Sequence, residues 1–359
     1  MPPLLSVIVP AHRVAEYLPA CLDSILGSTL RDLEVVVVDD GSPDETGAIA
    51  DRYAQRDSRV RVLHTPNQGV GPARDDGVRA ATGKYLAFAD SDDLVPEDAY
   101  EALVGSLEVT GSDFAAGNAW RLLPDEGLVP SWVHKDVFDE DRPRTHLRAF
   151  PALVRDRMVW NKVFRRSFWE QGGYTFPAMR YEDYPVAIRT HLDARSVDVL
   201  SRRVYIWRQR AGEGSITQQA LSVDNVRDRI SSAEMVLDMV ASEDEQVRDL
   251  VHAHFVAVDM TTLAHAIAAA TGRDRAELRV AAVAFARRVA PRFTGVTRFS
   301  KVVYRLLRAG LPEAAAQLTR WRDLRGVLAG RRPGPSATSR AAGSPSPDTV
   351  ERRDPPRLS

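Results

Sequence analysis

The chain has little cysteine and no long apolar run. Its one cysteine, Cys21, among 359 residues excludes an internal disulfide framework and a cysteine-based zinc site. No segment has about twenty consecutive apolar residues, which is what a membrane-spanning helix needs. The nearest one, His254–Thr271, is interrupted by Asp259 and contains two histidines. No charged–apolar–cleavage pattern precedes the first apolar run, so we expect no signal peptide.

An excess of charge of one sign is also missing. Lys and Arg number 48 and Asp and Glu number 49, so the formal net charge is −1, which argues against general nucleic-acid binding. The phosphate loop G-x-G-x-x-G is absent after the first apolar run, where Pro10-Ala11-His12 stands instead. An ordinary NAD site is therefore not expected, and Gly69-Val70-Gly71 further on has the wrong spacing for such a loop.

The first hundred residues alternate between strand and helix patterns. Short apolar runs predict buried strands, and apolar residues at three-to-four spacing predict helices between them. The predicted strands are Leu4–Pro10, Leu33–Val38, Val60–His64 and Lys84–Ala89, and the predicted helices are Glu16–Leu26, Pro43–Arg56, Gly71–Ala81 and Pro96–Leu107. Ser42 and Glu45 fit a capping box, with Ser42 as the N-cap of the second helix. Repeated strand–helix–strand units predict a parallel sheet with right-handed crossovers.

Polar residues follow each predicted strand. They are Pro10-Ala11-His12, Asp39-Asp40-Gly41-Ser42, Thr65-Pro66-Asn67 and Asp90-Ser91-Asp92-Asp93. Because the carboxyl ends of parallel strands share one edge of a sheet, these segments should converge where ligands bind. Several carboxylates at the end of a buried strand are unfavourable unless a cation binds them, and their spacing suits Mg²⁺ or Mn²⁺. A solvated loop or a helix cap is the alternative.

Several segments resemble the inverting family 2 glycosyltransferases. The first set is SVIVPAHRVAEYLPACLDSIL, EVVVVDDGSPDET, NQGVGPARDDGV and GKYLAFADSDD, which together cover Leu4–Ala102. A second set, WNKVF from Trp160, RYED from Arg180, YIWR from Tyr205 and GSIT from Gly214, is similar to the acceptor half of these enzymes. The closest likeness is to glycosyltransferases of wall teichoic acid poly(ribitol phosphate) and to actinobacterial relatives linked to CDP-glycerol glycerophosphotransferases.

The resemblance implies an α/β fold of the GT-A type, in which a mostly parallel twisted sheet is flanked by helices. We expect a glycosyltransferase domain over residues 1–218, with a nucleotide-sugar-binding half (1–105) and an acceptor half (106–218). A helical C-terminal region should occupy 219–330, and a disordered tail 331–359, which lacks large apolar residues. Helical spacing predicts four helices in that region: Leu221–Val240, Asp244–Ala270, Asp274–Val289 and Arg298–Leu328.

The resemblance also assigns residues to a nucleotide-sugar donor, expected to be a UDP-sugar. Pro10 would place its backbone against the base, and Asp39 or Asp40, or both, would lie beside the uracil and ribose. A turn with a helix cap is the alternative for these two aspartates. Asn67 would bond the base or ribose, or else form an Asx turn. Arg74 would contact the diphosphate or base, the alternative being an ordinary exposed arginine.

The segment Asp90–Asp93 is assigned to the sugar and the metal. The resemblance implies that Asp90 and Ser91 contact the ribose or sugar and that Asp92 ligates Mn²⁺ or Mg²⁺ at the diphosphate. Asp93 is expected to cap or orient the segment that follows. A cation at this position would neutralise the charge that develops on the leaving diphosphate.

Asp183 is the candidate general base. In an inverting transfer, a carboxylate removes the proton of the acceptor hydroxyl as that hydroxyl attacks the anomeric carbon. The alternative is that Glu182 and Asp183 only favour the dipole at the start of a predicted helix, Glu182–Leu192. Neighbouring helical residues point in different directions, so we expect one of the two to face the sugar.

Basic residues later in the chain suggest contacts with a polyanionic acceptor or with a membrane. Arg208, Arg210 and Ser215 lie in the loop RQRAGEGSIT, which would close over the diphosphate, line the acceptor groove or form a plain basic surface. The basic segment Arg298–Arg332 could rest on an anionic inner membrane leaflet. The alternative is a bundle helix whose arginines extend to water.

The predicted activity is a metal-dependent inverting sugar transfer to a polymeric or lipid-linked glycan or polyol-phosphate acceptor. We expect a cytoplasmic enzyme, with a peripheral contact at the inner membrane if the basic helices bind lipid. Two alternatives stay open: a non-catalytic scaffold with a glycosyltransferase fold, and a nucleotidyltransferase. His252, His254 and His265 could suggest a metal site, but no matching carboxylate geometry supports one, and we expect satisfied or exposed histidines of a helical bundle.

Overall fold

A computed structural model describes residues 2–131, 134, 136–210, 219–293 and 295–328. Within these residues one sheet has nine strands, in the order β3-β2-β1-β4-β8-β5-β9-β7, with β6 paired to β5. The strands are β1 Leu5–Ala11, β2 Leu33–Asp40, β3 Val60–Thr65, β4 Tyr85–Phe88, β5 Phe114–Leu123, β6 Gly127–Pro130, β7 Arg142–Thr145, β8 Lys162–Arg165 and β9 Val197–Arg208.

The first four strands form the parallel half of the sheet. β1 pairs in parallel with both β2 and β4, and β2 pairs in parallel with β3. The residues of β1 and β2 are buried throughout, because helices cover both faces of a parallel sheet and leave no solvated side. The predicted α/β class and the parallel pairing of these strands are confirmed, with strand ends displaced by one or two residues.

The other half of the sheet is mostly antiparallel. β8 inserts between β4 and β5 and is antiparallel to both, whereas β5 and β9 run parallel. β5 and β9 change register near Gly117, where an added Cβ would lie 2.5 Å from a methyl group of Val204. The carboxyl end of β9 thereby reaches the turn after β4, and Leu94 bridges to Ile206. The two halves of the sheet therefore meet at the β4–β8 pairing and again at this turn.

Twelve α-helices lie within the described residues. They are α1 Leu18–Leu26, α2 Thr46–Arg56, α3 Val70–Ala80, α4 Ala99–Thr110, α5 Arg166–Gly172, α6 Asp183–Asp193, α7 Val223–Met239, α8 Glu245–Ala257, α9 Asp259–Ala269, α10 Gly272–Arg288, α11 Arg298–Arg308 and α12 Pro312–Leu328. The C-terminal helical region is thus confirmed over its described part.

The predicted capping box at Ser42 is wrong. α2 begins at Thr46, and Ser42 lies in the preceding loop, where its hydroxyl accepts a bond from the backbone N–H of Arg13. Asp44 accepts a bond from the backbone N–H of Thr46 at 3.2 Å instead. A tertiary contact between two loops therefore uses the hydroxyl that local sequence assigns to the helix end.

Two predicted long helices are each divided. Asp244–Ala270 is interrupted at Val258, and the buried Asp259 begins the second helix. Arg298–Leu328 is interrupted at Gly310, whose φ of +77° closes α11. Glycine takes this left-handed conformation readily, and the proline two residues later suits the start of the next helix.

Among the described residues, one helical stretch is apolar and long enough to cross a membrane by length and composition alone. It is Glu245–Ala269, and 78% of its apolar window is buried inside the protein. Core helices of bundles meet the same criterion when neighbouring helices cover them. The helices of this region also share a single apolar cluster with Ala116, Tyr184 and Ile188 of the sheet half that contains β5 and α6.

Candidate active site

Asp39 and Asp40 end β2 rather than forming a turn. They pair in register with His64 and Thr65 of β3, and both carboxylates are buried. One oxygen of Asp39 accepts a bond from the backbone N–H of Ser42 at 3.1 Å, and the other lies 2.9 Å from His64 Nδ1. The bonds to Asp39 and Asp51 raise the pKa of His64.

Asp40 shapes the loop that contains Asn67. Its two carboxylate oxygens accept bonds from the backbone N–H groups of Gln68 and Gly69, at 2.9 and 2.8 Å. Gly41, with a φ of +65°, lies so close to this loop that an added Cβ would be 2.7 Å from the Asn67 nitrogen. The exposed amide of Asn67 lies 3.2 Å from His12 Nε2. Asp40 therefore holds the backbone that presents Asn67.

Pro10 lies at the same edge of the sheet. It is buried near the end of β1, opposite Val38 of β2. Its position brings the start of the β1 loop beside Asp39 and Asp40. Pro10, both aspartates and Asn67 are thus brought together at the carboxyl ends of three adjacent strands, as expected for a ligand site in an open parallel sheet.

Arg74 is a buried arginine, so the alternative of an ordinary exposed side chain is wrong. Its guanidinium contacts Glu182 with one terminal nitrogen and lies 2.6 Å from Asp90 with the other. Phe176 covers it, with the ring centre 5.4 Å from the guanidinium carbon. α3 begins at Val70, which places Arg74 beyond the first turn of the helix. The side chain joins α3 to the turn after β4 and to the residue that precedes α6.

Asp183 and Glu182 have different surroundings. Glu182 is buried against Arg74, whereas Asp183 is partly exposed at the start of α6. Burial raises the pKa of Asp183, and the charge of Asp90 raises it further, while Arg74 and Arg157 lower it. A carboxyl in such surroundings can accept a proton from a bound hydroxyl.

The turn after β4 is held by an aromatic pair. The backbone N–H of Asp90 donates to the hydroxyl of Tyr205 at 2.9 Å, and the Tyr205 ring stacks on Trp160 with centroids 4.2 Å apart. Ser91 is buried within the turn. Asp93 is also buried, and its Oδ1 accepts a bond from the backbone N–H of Arg208 at 2.7 Å. Asp93 therefore orients the end of β9, not the following segment as predicted.

Asp92 faces an internal cation. Arg210 Nε lies 2.6 Å from Asp92 Oδ2, and the guanidinium groups of Arg208 and Arg210 both lie over the ring of Tyr17, at 5.5 and 5.2 Å. Burial raises the pKa of Asp92, and Arg210 opposes this shift. Among the described residues no group of three or more His, Cys, Asp or Glu side chains is arranged to hold a metal ion.

Residues 6–173 match the family model for glycosyl transferase family 2. These residues form a family 2 glycosyltransferase domain. The uncharacterized glycosyltransferase EpsJ of Bacillus subtilis is 33% identical to the chain over 218 residues, which are 58% of this chain and 62% of EpsJ. The match therefore spans less than two thirds of the length of that relative.

Solved glycosyltransferases share the fold of the family 2 domain and of the helices after it. The crystal structure of Staphylococcus aureus TarS 1–349 in complex with UDP-GlcNAc covers 91% of this chain and 92% of its own, with a TM-score of 0.69 and 20% identity. A Pyrobaculum calidifontis mannosyltransferase in complex with GDP-Man and Mn²⁺ covers 90% and 88%, with a TM-score of 0.52 and 18% identity. The GT-A type of the fold is confirmed.

The sequence-based predictions missed several residues that lie at the site. Tyr17 under the two arginines, Trp160 and Tyr205 under the Asp90 turn, and Arg157 near Asp183 were given no role. Trp160 and Tyr205 do begin two of the segments that resemble family 2 enzymes, so a signal was available for them. Ser215 and the rest of the segment 211–218, like the tail 331–359, lie outside the described residues.

Proposed function

We propose that this protein transfers a sugar from a UDP-sugar to a hydroxyl group of a cell-surface polymer, with inversion at the anomeric carbon. The observation that carries the proposal is that Arg74 pairs with both Asp90 and Glu182, next to Asp183, in a chain whose residues 6–173 match glycosyl transferase family 2. A donor site and a candidate base then lie on opposite sides of one buried ion-pair network.

The donor would lie along the carboxyl edge of β1, β2 and β3. Asp39 could accept the imide N–H of uracil, since each carboxylate oxygen can accept more than one bond. Asn67 is exposed beside His12 and could bond the base or the ribose, and Pro10 would bring its backbone against the base. Asp90 and Ser91 would then lie near the ribose and sugar. The UDP-GlcNAc bound by TarS supports uridine as the nucleoside.

We propose Asp92 as the residue that holds Mn²⁺ or Mg²⁺. These cations are commonly bound by one or two carboxylates together with substrate phosphates, and a single partly buried carboxylate at the sheet edge fits such shared binding. The protein alone offers too few ligands among its described residues. When bound, the cation would neutralise charge on the departing diphosphate. Arg210, which now pairs with Asp92, would have to release that carboxylate.

Asp183 would act as the general base. The acceptor oxygen forms a bond to the anomeric carbon, the bond from that carbon to the diphosphate breaks, and the hydroxyl proton goes to the Asp183 carboxylate. UDP leaves with the electron pair of the broken bond. Glu182 keeps Arg74 in place, and Arg74 in turn orients Asp90 beside the reacting sugar. No covalent intermediate with the protein is needed.

The acceptor we propose is a polymeric or lipid-linked polyol phosphate, such as wall teichoic acid, or another polysaccharide. Arg208 and Arg210 lie beside the site, and guanidinium groups bind phosphate in two-point geometry.

Trp321 and Leu324 on α12 are exposed, and Arg325 stacks on Trp321 at 4.5 Å. This surface supports a peripheral contact with an anionic membrane, and flotation with liposomes with and without anionic lipid would test it.

Calorimetric binding of UDP, GDP, CDP and dTDP, with and without Mn²⁺, tests the donor and metal assignments. Of the four nucleotides, we expect only UDP to bind more tightly when Mn²⁺ is present. Asp92→Asn should abolish this dependence on Mn²⁺. Asp98→Asn is the matched control, because Asp98 is an exposed aspartate paired with Arg202 nearby. Preferential GDP binding would overturn the uridine assignment. Absence of metal-dependent binding for all four nucleotides would favour the scaffold alternative.

A further inference from the structure

Tyr181, two residues before the candidate base, has an uncommon backbone conformation. Its φ is +60°, in the left-handed region that residues with large side chains rarely occupy. Such a conformation persists only when the surroundings determine it. Neither neighbour of Tyr181 is a glycine, so the cause must be sought in tertiary contacts. The side-chain contacts of Arg180 and Tyr181 that bear on this conformation come from one helix of the C-terminal region, α7.

Four residues of α7 contact Arg180 and Tyr181. They are Asn225, Asp228, Arg229 and Ser232, whose three-and-four spacing places them on one face of the helix. Asn225 accepts a bond from the Tyr181 hydroxyl, and Ser232 donates to the Tyr181 carbonyl at 2.8 Å. The Arg229 guanidinium lies 4.3 Å from the centre of the Tyr181 ring.

The remaining contact of this face is with the residue before Tyr181. Asp228 pairs with the Arg180 side chain at 3.0 Å and accepts a bond from the Arg180 backbone N–H at 3.3 Å. Helix α7 therefore holds the side chain and the carbonyl of Tyr181 and the backbone amide of Arg180. We call Asn225, Asp228, Arg229 and Ser232 the α7 clamp.

Arg229 of the α7 clamp is held in place by a buried charge on helix α9. Asp259 at the start of α9 pairs with Arg229 at 2.7 Å, and both side chains are buried. Arg157 lies 3.7 Å from the same aspartate and packs over the ring of Tyr184 at 4.0 Å. The buried charges thus form a continuous connection from α9 to both sides of Asp183.

We propose that the α7 clamp positions the general base: by holding Tyr181 in its left-handed conformation, it aims Asp183 at the acceptor hydroxyl. This inference rests on the proposed function. The clamp residues are positioning residues, since each acts through Tyr181 or Arg180 and not on the substrate. The C-terminal helices are then part of the catalytic apparatus. Small displacements of a catalytic group, on the order of 1 Å, reduce turnover about 100-fold.

The test compares Tyr181→Phe, Ser232→Ala and their double variant with the unmodified protein. Each single change removes one hydrogen bond and keeps the apolar packing. The probe is hydrolysis of UDP-N-acetylglucosamine to UDP, with water as acceptor. We expect the double variant to lower kcat by about 10-fold to 100-fold, with the KM for the donor and the Kd for UDP changed less than about twofold. Arg227→Gln on the exposed face of α7 is the control.

Hydrogen exchange supplies a readout that needs no substrate. Amides of residues 181–184 should exchange faster in the double variant, while those of β1 and β2 should be unchanged. The positioning role would be overturned if exchange became faster in the double variant while kcat stayed unchanged. It would also be overturned if residues 181–184 exchanged at the same rate in the double variant and in the unmodified protein. A parallel loss of kcat and UDP affinity would show structural support only and would also overturn it.

Failure of the proposed function can be distinguished from failure of this inference. Asp183→Asn must abolish donor hydrolysis if Asp183 is the base. If that variant is as active as the unmodified protein, the base assignment fails, and the exchange data still decide whether the α7 clamp holds the turn at Tyr181.

Discussion

Arg74 and Asp90 form an ion pair of 2.6 Å between the third helix and the turn after the fourth strand. The other terminal nitrogen of Arg74 contacts Glu182, which precedes the candidate base. Burial raises the pKa of Glu182, and the charge of Arg74 opposes that shift. One buried guanidinium thus joins Asp90, which is expected to contact the donor, to Glu182, the neighbour of the candidate base.

Replacing Arg74 with methionine should destabilise the protein strongly. The change leaves the buried Glu182 and the partly exposed Asp90 without their cation, and breaking a buried ion pair in this way costs about 3–5 kcal/mol. Urea unfolding, followed by circular dichroism, would measure the free energy of unfolding. Arg79→Met on the exposed side of the same helix is the control and should change stability by less than about 0.5 kcal/mol.

The same measurement can distinguish lost charge from lost packing. Arg74→Met combined with Glu182→Gln should recover part of the lost stability, because the second change removes one unpaired charge. A single Arg74→Met variant as stable as the Arg79→Met control would contradict the role assigned to the buried pair.

Asp183→Asn should stop sugar transfer while leaving donor binding nearly intact. The amide cannot take the proton of the acceptor hydroxyl, and loss of a general base lowers kcat by about 100-fold to 10,000-fold. UDP release from the donor would measure turnover, and calorimetry would measure UDP affinity. Asp193→Asn, at the other end of α6 and paired with Arg189, is the matched control. Substantial turnover by Asp183→Asn would refute the assignment.

The pH dependence of kcat should respond to Arg157. The base must be ionised to act, so kcat falls as the pH drops through the pKa of Asp183. Arg157 lowers the pKa of Asp183. The change Arg157→Met should therefore raise the pKa of Asp183 and move the acid limb of the pH profile to higher pH. Arg155→Gln, which removes a more exposed arginine paired with Asp136, should leave the limb in place. An unmoved limb in Arg157→Met would mean that Asp183 is not the titrating base.

The pair between His64 and Asp39 should stabilise the protein mainly at low pH. The pKa of His64 is raised in the folded state, so its contribution is fully present below the unfolded value of about 6.5 and is lost as the pH rises through the raised value. Unfolding by urea at about pH 5.5 and about pH 9 should therefore show a larger loss for His64→Gln at the lower pH.

His252 offers a control of opposite sign. Burial lowers its pKa, so the stability that it contributes is present above about 6.5 and is lost as the pH falls through the lowered value. His252→Gln should therefore be more harmful at the higher pH. The same pH trend in both variants would contradict these shifts.

Local pattern was sufficient for much of the parallel half of the sheet. β1 and β2 are short runs of large apolar residues, and such runs form strands buried on both faces wherever helices separate them. The carboxyl ends of β1, β2 and β3 bring Pro10, Asp39 and Asn67 to one edge by topology alone. The helix start at Ser42 was mispredicted because a neighbouring loop uses its hydroxyl, and local sequence contains no information on that contact.

The sequence by itself determined the alternation of strands and helices, the polar residues at one sheet edge and the family resemblance, because these depend on periodicity and on short motifs. Only the tertiary structure decided that Arg74 is buried between Asp90 and Glu182, that Arg210 faces Asp92, and that helix α7 holds Tyr181. These contacts join residues from about 16 to 118 positions apart along the chain. Their formation depends on how β8, α6 and α7 pack together, which no local pattern specifies.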